Sequence, residues 1–247
     1  MSGKHRIGLV VPTPTAIVPA EGLRMYPDIE FVPHGTGVES LTPAGYDAAV
    51  DKIAPAAEHL AGEGVEAIMV IGTSLTFYRG PRFHDELLER VRNATGLPCS
   101  TMSKAIADGL DAVGAKTIAV STAYSKVVND KLVEWLEWRG FDVEAVESFG
   151  ITKFGDASGK TVNDIVDLTL KACAASPSAD GIVISCGGLR TLDCAMPLER
   201  RTGLPVVSSM PAAFWAALGL VGQSGRLDGF GRMLEQNAAA TAMSPNN

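Results

Sequence analysis

Ile68-Met69-Val70-Ile71-Gly72-Thr73-Ser74-Leu75 and Ile182-Val183-Ile184-Ser185-Cys186-Gly187-Gly188-Leu189 read as one motif written twice. Each is a nearly continuous apolar run that breaks into glycine and small polar residues. That is the pattern of a parallel strand buried on both faces and leaving its sheet through a tight turn. One helix later the likeness resumes. Gly96-Leu97-Pro98 before Ser100-Thr101-Met102 corresponds to Gly203-Leu204-Pro205 before Ser208-Ser209-Met210. Upstream, Ile7-Gly8-Leu9-Val10-Val11-Pro12-Thr13 parallels Ile118-Ala119-Val120-Ser121-Thr122-Ala123-Tyr124, and the interval from Ile7 to Gly72 nearly equals that from Ile118 to Cys186. Four matches in the same order predict two copies of one α/β unit: pseudo-symmetric, flavodoxin-like halves, each a short parallel sheet flanked by helices. The boundary falls near Leu110–Ala115. The last helix, from about Pro211, is expected to return to the first half, which assigns residues 1–112 and 213–247 to one half and 113–212 to the other.

The clear strands are Ile7–Val11, Ala67–Ile71, Thr117–Ser121 and Gly181–Ser185, with amphipathic segments between them. Tyr46, Val50, Ile53, Ala57 and Leu60 recur at helical spacing and predict one helix with a single buried stripe. Thr42-Pro43 opens it and Gly62 or Gly64 ends it. Val128, Leu132 and Leu136 form a second stripe closed by Gly140; Ile165, Val166, Thr169, Leu170 and Cys173 form a third, stopped by Ser176-Pro177. Strand and helix in alternation mean βαβ units and a parallel sheet.

Composition narrows the function. Of 247 residues, 46% are apolar and 20% charged, with a formal charge of −7, so there is no basic footprint for nucleic acid. The polar start, Met1 to Arg6, leads into only five apolar residues, too few for a signal segment or a membrane span. A cytoplasmic protein with reduced thiols is expected, a monomer or small homo-oligomer. Cys99, Cys173, Cys186 and Cys194 form no CxxC pair, and His5, His34, His59 and His84 are scattered. Neither a metal site nor a Ser-His-Asp triad finds its residues here.

In open parallel sheets, ligands bind beyond the C-terminal strand ends, where helix N-termini favour anions. Four loops meet that description: Pro12–Ile17, Gly72–Leu75, Ser121–Tyr124 and Ser185–Leu189. Gly72-Thr73-Ser74 and Cys186-Gly187-Gly188 occupy equivalent places, so across a pseudo-twofold cleft they offer hydroxyls and N–H groups from one side and a thiol from the other. Taken alone, a cysteine after a buried strand is more often a small core residue. Cys186 departs from that because two glycines follow it and a helix N-terminus there would lower the thiol pKa. Gly72-Thr73-Ser74 taken alone is turn chemistry with an N-cap. Tyr124 reads equally as a core-edge aromatic.

These paired motifs, the doubled unit and the single thiol resemble the aspartate/glutamate racemase superfamily. More narrowly, Gly72 to Gly80 (GTSLTFYRG) and Ser185 to Leu189 (SCGGL) resemble the arylmalonate decarboxylase family. The likeness continues in Leu41 to Asp47, Ala94 to Met102, Pro205 to Ser209 and Gly229 to Arg232, and it covers almost the whole chain.

The resemblance implies a mechanism. Racemases and maleate isomerases of the superfamily place a cysteine in each half; here Gly72 stands in the first position. A lone thiol cannot take a proton from one face and return it to the other, but it can protonate a carbanion that loss of CO₂ has made. The implied substrate is a disubstituted malonate, a small dicarboxylate, and no cofactor is called for. One carboxylate binds among Thr73, Ser74, Tyr124 and the N–H groups of Cys186 and Gly187. The other sits in a pocket formed by Pro12, Val38, Leu41, Tyr46, Ala123 and Phe154, with Gly72 and Gly188 at its edge. Cys186 then protonates one face of the enediolate. Where the family carries small or flexible aliphatic residues, this chain has Phe154 and Ala157. Two rival functions stay open: an isomerase or racemase of the same superfamily, and a non-catalytic anion-binding protein.

Overall fold

A computed structural model of the chain describes residues 4–38 and 43–242. In chain order the strands are β1 (Arg6–Val11), β2 (Glu30–Gly35), β3 (Ala67–Val70), β4 (Cys99–Thr101), β5 (Thr117–Thr122), β6 (Asp142–Ser148), β7 (Gly181–Ser185) and β8 (Val206–Ser208). The helices of the first half are α1 (Ala20–Met25), α2 (Pro43–Val50), α3 (Ile53–Gly62), α4 (Thr73–Phe77), α5 (Pro81–Thr95) and α6 (Met102–Val113). Then follow α7 (Lys126–Trp138), α8 (Val162–Ala174), α9 (Ala195–Thr202), α10 (Ser209–Leu220) and α11 (Ala238–Ala242).

The strands form two four-stranded parallel sheets, ordered β2-β1-β3-β4 and β6-β5-β7-β8. The order is the same in both, so the internal repeat is a repeat of topology. The four strands legible in the sequence are the two central strands of each sheet, sandwiched between helices and buried along nearly their whole length. The four unforeseen strands are edges. β2 carries Pro33, whose missing N–H an edge strand tolerates. β6 is partly exposed along its length, and β4 and β8 are three residues each.

The single helix expected over Tyr46 to Leu60 is two, α2 and α3, parted by a turn at Asp51-Lys52. The cause is Pro55. In an unbroken helix its ring would clash with the carbonyl of Asp51 and leave that carbonyl without its N–H partner. The stripe survives the break, since Tyr46, Val50, Ile53, Ala57 and Leu60 are all buried. Thr42, its expected cap, lies outside the described residues. The third stripe shifts slightly: α8 buries Ile165, Val166, Leu168, Thr169 and Ala172, leaving Leu170 and Cys173 only partly covered.

Helix α10 is buried from Ser209 to Gly219 and packs against α6, β3, β4 and α1 as well as β8. Its position brings Ser209, at its first turn, beneath the loops that leave both β3 and β7. One apolar cluster runs through it from Ile7 and Val70 to Val120, Trp135 and Val183, so the two sheets share a core.

Candidate active site

The loop after β3 turns at Gly72, whose φ of 116° suits glycine and lets the chain enter α4 at once with Thr73 and Ser74. Both side chains are at least nine-tenths buried. Ser103 of α6 donates to the Thr73 carbonyl at 3.0 Å and lies 2.6 Å from Thr76 Oγ1, which fixes this turn from below. α4 is only five residues long, so its dipole is small and the hydroxyls carry most of the polarity.

The loop after β7 differs from expectation. No helix starts at Cys186; residues 187–188 form a turn closed by the Leu189 N–H on the Cys186 carbonyl at 3.1 Å, and α9 begins only at Ala195. The expected helix-end pull toward thiolate is therefore missing. Burial pushes the Cys186 thiol above its ordinary value of 9.0, against the opposing bonds from the Gly188 and Leu189 N–H groups and the Tyr124 hydroxyl. A neutral thiol is the form that results. Cys186 is half-buried and is the one described non-glycine residue with a positive φ, 156°. Outliers of that kind persist where their surroundings over-determine them.

Tyr124 joins the two loops. Its hydroxyl lies 3.3 Å from Ser185 Oγ and also interacts with Thr73 and with the thiol. Its ring meets Phe77 edge-on at 6.0 Å. Its backbone is pinned too: Thr122 Oγ1 accepts its N–H at 3.2 Å, while Ser148 and Asn129 donate to its carbonyl. Burial holds the phenol protonated, well above its usual range. It is a fixed donor.

Thr73 and Cys186 meet through Ser209. Thr73 Oγ1 lies 3.0 Å from Ser209 Oγ, and the Cys186 N–H donates to the same oxygen at 3.1 Å. The thiol loop and the hydroxyl loop are thus two hydrogen bonds apart. The Cys186 N–H, expected to face the carboxylate, is directed at Ser209 instead.

The residues expected to line a pocket here are mixed in character. Pro12 Cγ would lie 3.7 Å from a Cβ placed on Gly72, so it borders that glycine, and its carbonyl accepts the Val38 N–H at 2.7 Å. The Tyr46 ring stacks on Tyr78 at 4.7 Å, and its buried hydroxyl lies beside Ser74; burial pushes it up to about 12. Tyr46, expected as apolar lining, brings a further donor. A Cβ on Gly188 would meet Ala157 Cβ at 3.1 Å and Cys186 Sγ at 3.6 Å, which places Ala157 beside the thiol. Gly187 is flanked by the repeat-related Met102 and Met210. Ala123 is buried in the smaller core cluster under Cys186, and Phe154 is partly buried against the larger one. Leu41 lies outside the described residues.

Three features carry no local signal in the sequence. Ser209 was only a repeat marker, although its hydroxyl corresponds to that of Thr101 in the other copy. Ser185 reads only as the end of a strand. A clamp comes from α1: Glu21 accepts the Thr191 and Leu192 N–H groups at 2.8 and 2.6 Å, and Arg24 grips Asp193 through two bonds. It ties the chain beyond the thiol loop to the first half. Among the described residues no group of three or more His, Cys, Asp or Glu is placed to hold a metal ion, and no helix is long and apolar enough to cross a membrane.

Known proteins resemble this chain over nearly its whole length. The family model for arylmalonate decarboxylase matches residues 7–234. Arylmalonate decarboxylase of Bordetella bronchiseptica is 42% identical over 232 residues, covering 94% of this chain and 97% of that one. Maleate isomerase of Nocardia farcinica (strain IFM 10152) is 29% identical over 257 residues, covering 97% and 99%. A liganded arylmalonate decarboxylase structure, with one glycine exchanged for cysteine and one cysteine for serine, superposes with a TM-score of 0.91 at 42% identity over 93% of this chain and 98% of that one. Maleate isomerase from Pseudomonas putida S16 with maleate shares the fold, with a TM-score of 0.85 at 22% identity and coverage of 94% and 98%. This chain belongs to the arylmalonate decarboxylase family.

Proposed function

We propose that the chain decarboxylates disubstituted malonates, aryl malonates among them, without metal or organic cofactor, and releases one enantiomer of a monocarboxylic acid. The observation that carries this is a single thiol, Cys186, kept neutral by burial and hydrogen-bonded to Tyr124, with its backbone N–H two hydrogen bonds from Thr73, while the repeat-related position holds Gly72 and no acid or base.

One substrate carboxylate accepts from the hydroxyls of Thr73, Ser74 and Tyr124 and from the Gly187 N–H, with the Tyr46 hydroxyl at the edge of the same group. The second carboxylate lies against Pro12, Val38, Ala123 and Phe154, where few donors solvate its charge. That imbalance favours its loss. The C–C bond breaks, its electron pair passes into the first carboxylate to give an enediolate, and CO₂ leaves. Charge gathers on the oxygens the donors already touch, so they bind the transition state better than the ground state. The Sγ–H of Cys186 then protonates the carbon from its own side, and water returns a proton to the thiolate. One donor on one face gives one enantiomer.

An isomerase working like the maleate isomerase relatives is the second reading, and those relatives are its support. It requires a second acid or base across the substrate, which Gly72 lacks. The reading is tested by incubating the protein with phenylmalonate, alkylmalonates and maleate. CO₂ release with an optically pure acid is the expected outcome. Isomerised maleate with no CO₂ from any malonate would overturn it.

A further inference from the structure

Ser209 opens α10 and is wholly buried. Its hydroxyl touches both loops of the site: the Cys186 N–H donates to Oγ at 3.1 Å, Thr73 Oγ1 lies 3.0 Å away, and the Ile184 carbonyl lies 3.4 Å away. A serine hydroxyl has one proton and two lone pairs. The Cys186 N–H takes one lone pair. The proton has two acceptors to choose between, and the shorter contact is to Thr73. Once Thr73 Oγ1 accepts from Ser209, its own proton points away from Ser209, toward Tyr124 and the carboxylate site.

We propose that Ser209 is a positioning residue that makes Thr73 a donor to substrate and holds the backbone of Cys186 so that Sγ stands on one side of the reacting carbon. For its activity readout this rests on the decarboxylase reading above. The positive φ of Cys186 needs restraint, and the bond from its N–H to Ser209 supplies some of it. The backbone of Thr73 is held independently by Ser103, so removing the Ser209 hydroxyl frees the Thr73 side chain without undoing α4. The effect belongs to proton direction and thiol placement.

The experiment compares Ser209→Ala, Ser209→Thr, Thr73→Ala and the double variant Ser209→Ala/Thr73→Ala with wild type on phenylmalonate, each first checked for cooperative melting. Ser209→Ala is expected to lower kcat roughly ten- to a hundredfold, KM changing far less, and to erode the product's enantiomeric excess. Ser209→Thr keeps the hydroxyl and should recover most of the loss. Because Ser209 acts through Thr73, the double variant should be slower than Thr73→Ala by much less than Ser209→Ala alone slows wild type. A folded Ser209→Ala protein within about twofold of wild type in kcat, or two losses that multiply, overturns the proposal. If wild type decarboxylates no malonate, the functional reading fails and the role of Ser209 is decided without substrate. Iodoacetamide labelling of the Cys186 peptide, followed by mass spectrometry, should then change severalfold in rate with Ser209→Ala; an unchanged rate refutes the role.

Discussion

Exchanging Gly72 for cysteine would place a second thiol where the internal repeat pairs with Cys186. The side chain has room: its Cβ would lie 3.4 Å from Leu75 Cβ and 3.7 Å from both Leu75 Cδ2 and Pro12 Cγ, ordinary contact distances. The cost lies in the backbone, because φ is 116° there. A non-glycine residue in such a region costs about 1–3 kcal/mol, which for a chain of this size lowers the melting temperature by roughly 2–12 °C. The variant should therefore fold, less stably. With a thiol on each face, an enantiopure 2-arylpropionate should exchange its α-hydrogen for deuterium in D₂O and racemise, whereas wild type should do neither. Chiral chromatography and mass spectrometry read both. A folded Gly72→Cys protein that still decarboxylates malonates yet leaves the acid undeuterated would refute the opposition of Gly72 and Cys186 across the substrate.

Further outcomes follow from the same geometry. Because burial raises the Cys186 thiol above 9.0, the proton donor is intact at neutral pH; decarboxylation should hold level from about pH 7 and fall only above pH 9, and a rate already halved near pH 7.5 would mean a reactive thiolate instead. His84, buried against Trp135 with Nε2 2.8 Å from Thr101 Oγ1, is pushed down to about 4 from 6.5, chiefly by burial. Its contribution to stability is full above pH 6.5 and is lost as pH falls through 4, a difference of ~3 kcal/mol; urea midpoints at pH 7 and pH 4 should converge for His84→Gln relative to wild type, and an identical acid loss in both would count against it. Dialysis against EDTA should leave the rate unchanged, and a rate recovered only on adding a divalent metal would contradict metal-free chemistry.

How far the sequence reads depends on where burial writes a pattern. β1, β3, β5 and β7 are covered on both faces, so each is an apolar run, and together they disclose the doubled sheet. β2 and β6 lie at edges and alternate weakly, while β4 and β8 are too short to show a period. Pro55 was visible, but the apolar stripe of Tyr46 to Leu60 crosses the break and hides it. In the candidate site, the loops that hold Thr73, Ser74, Tyr124 and Cys186 are legible because strand ends in parallel sheets gather ligands, and the roles expected of these residues come from the family resemblance. The bonds that orient them are not legible. Ser209, Ser148 and Glu21 reach the site from elements distant in sequence, and no local spacing announces such contacts. The thiol's protonation is equally hidden, since it turns on burial and on whether a helix or a turn follows Cys186.

The direct measurement is phenylmalonate turnover by Cys186→Ala, taken together with calorimetric binding of the same malonate. The account predicts that binding stays within a few-fold of wild type while product formation falls by roughly 10²–10⁴. Product formed within about tenfold of the wild-type rate, and still a single enantiomer, would mean that another group delivers the proton.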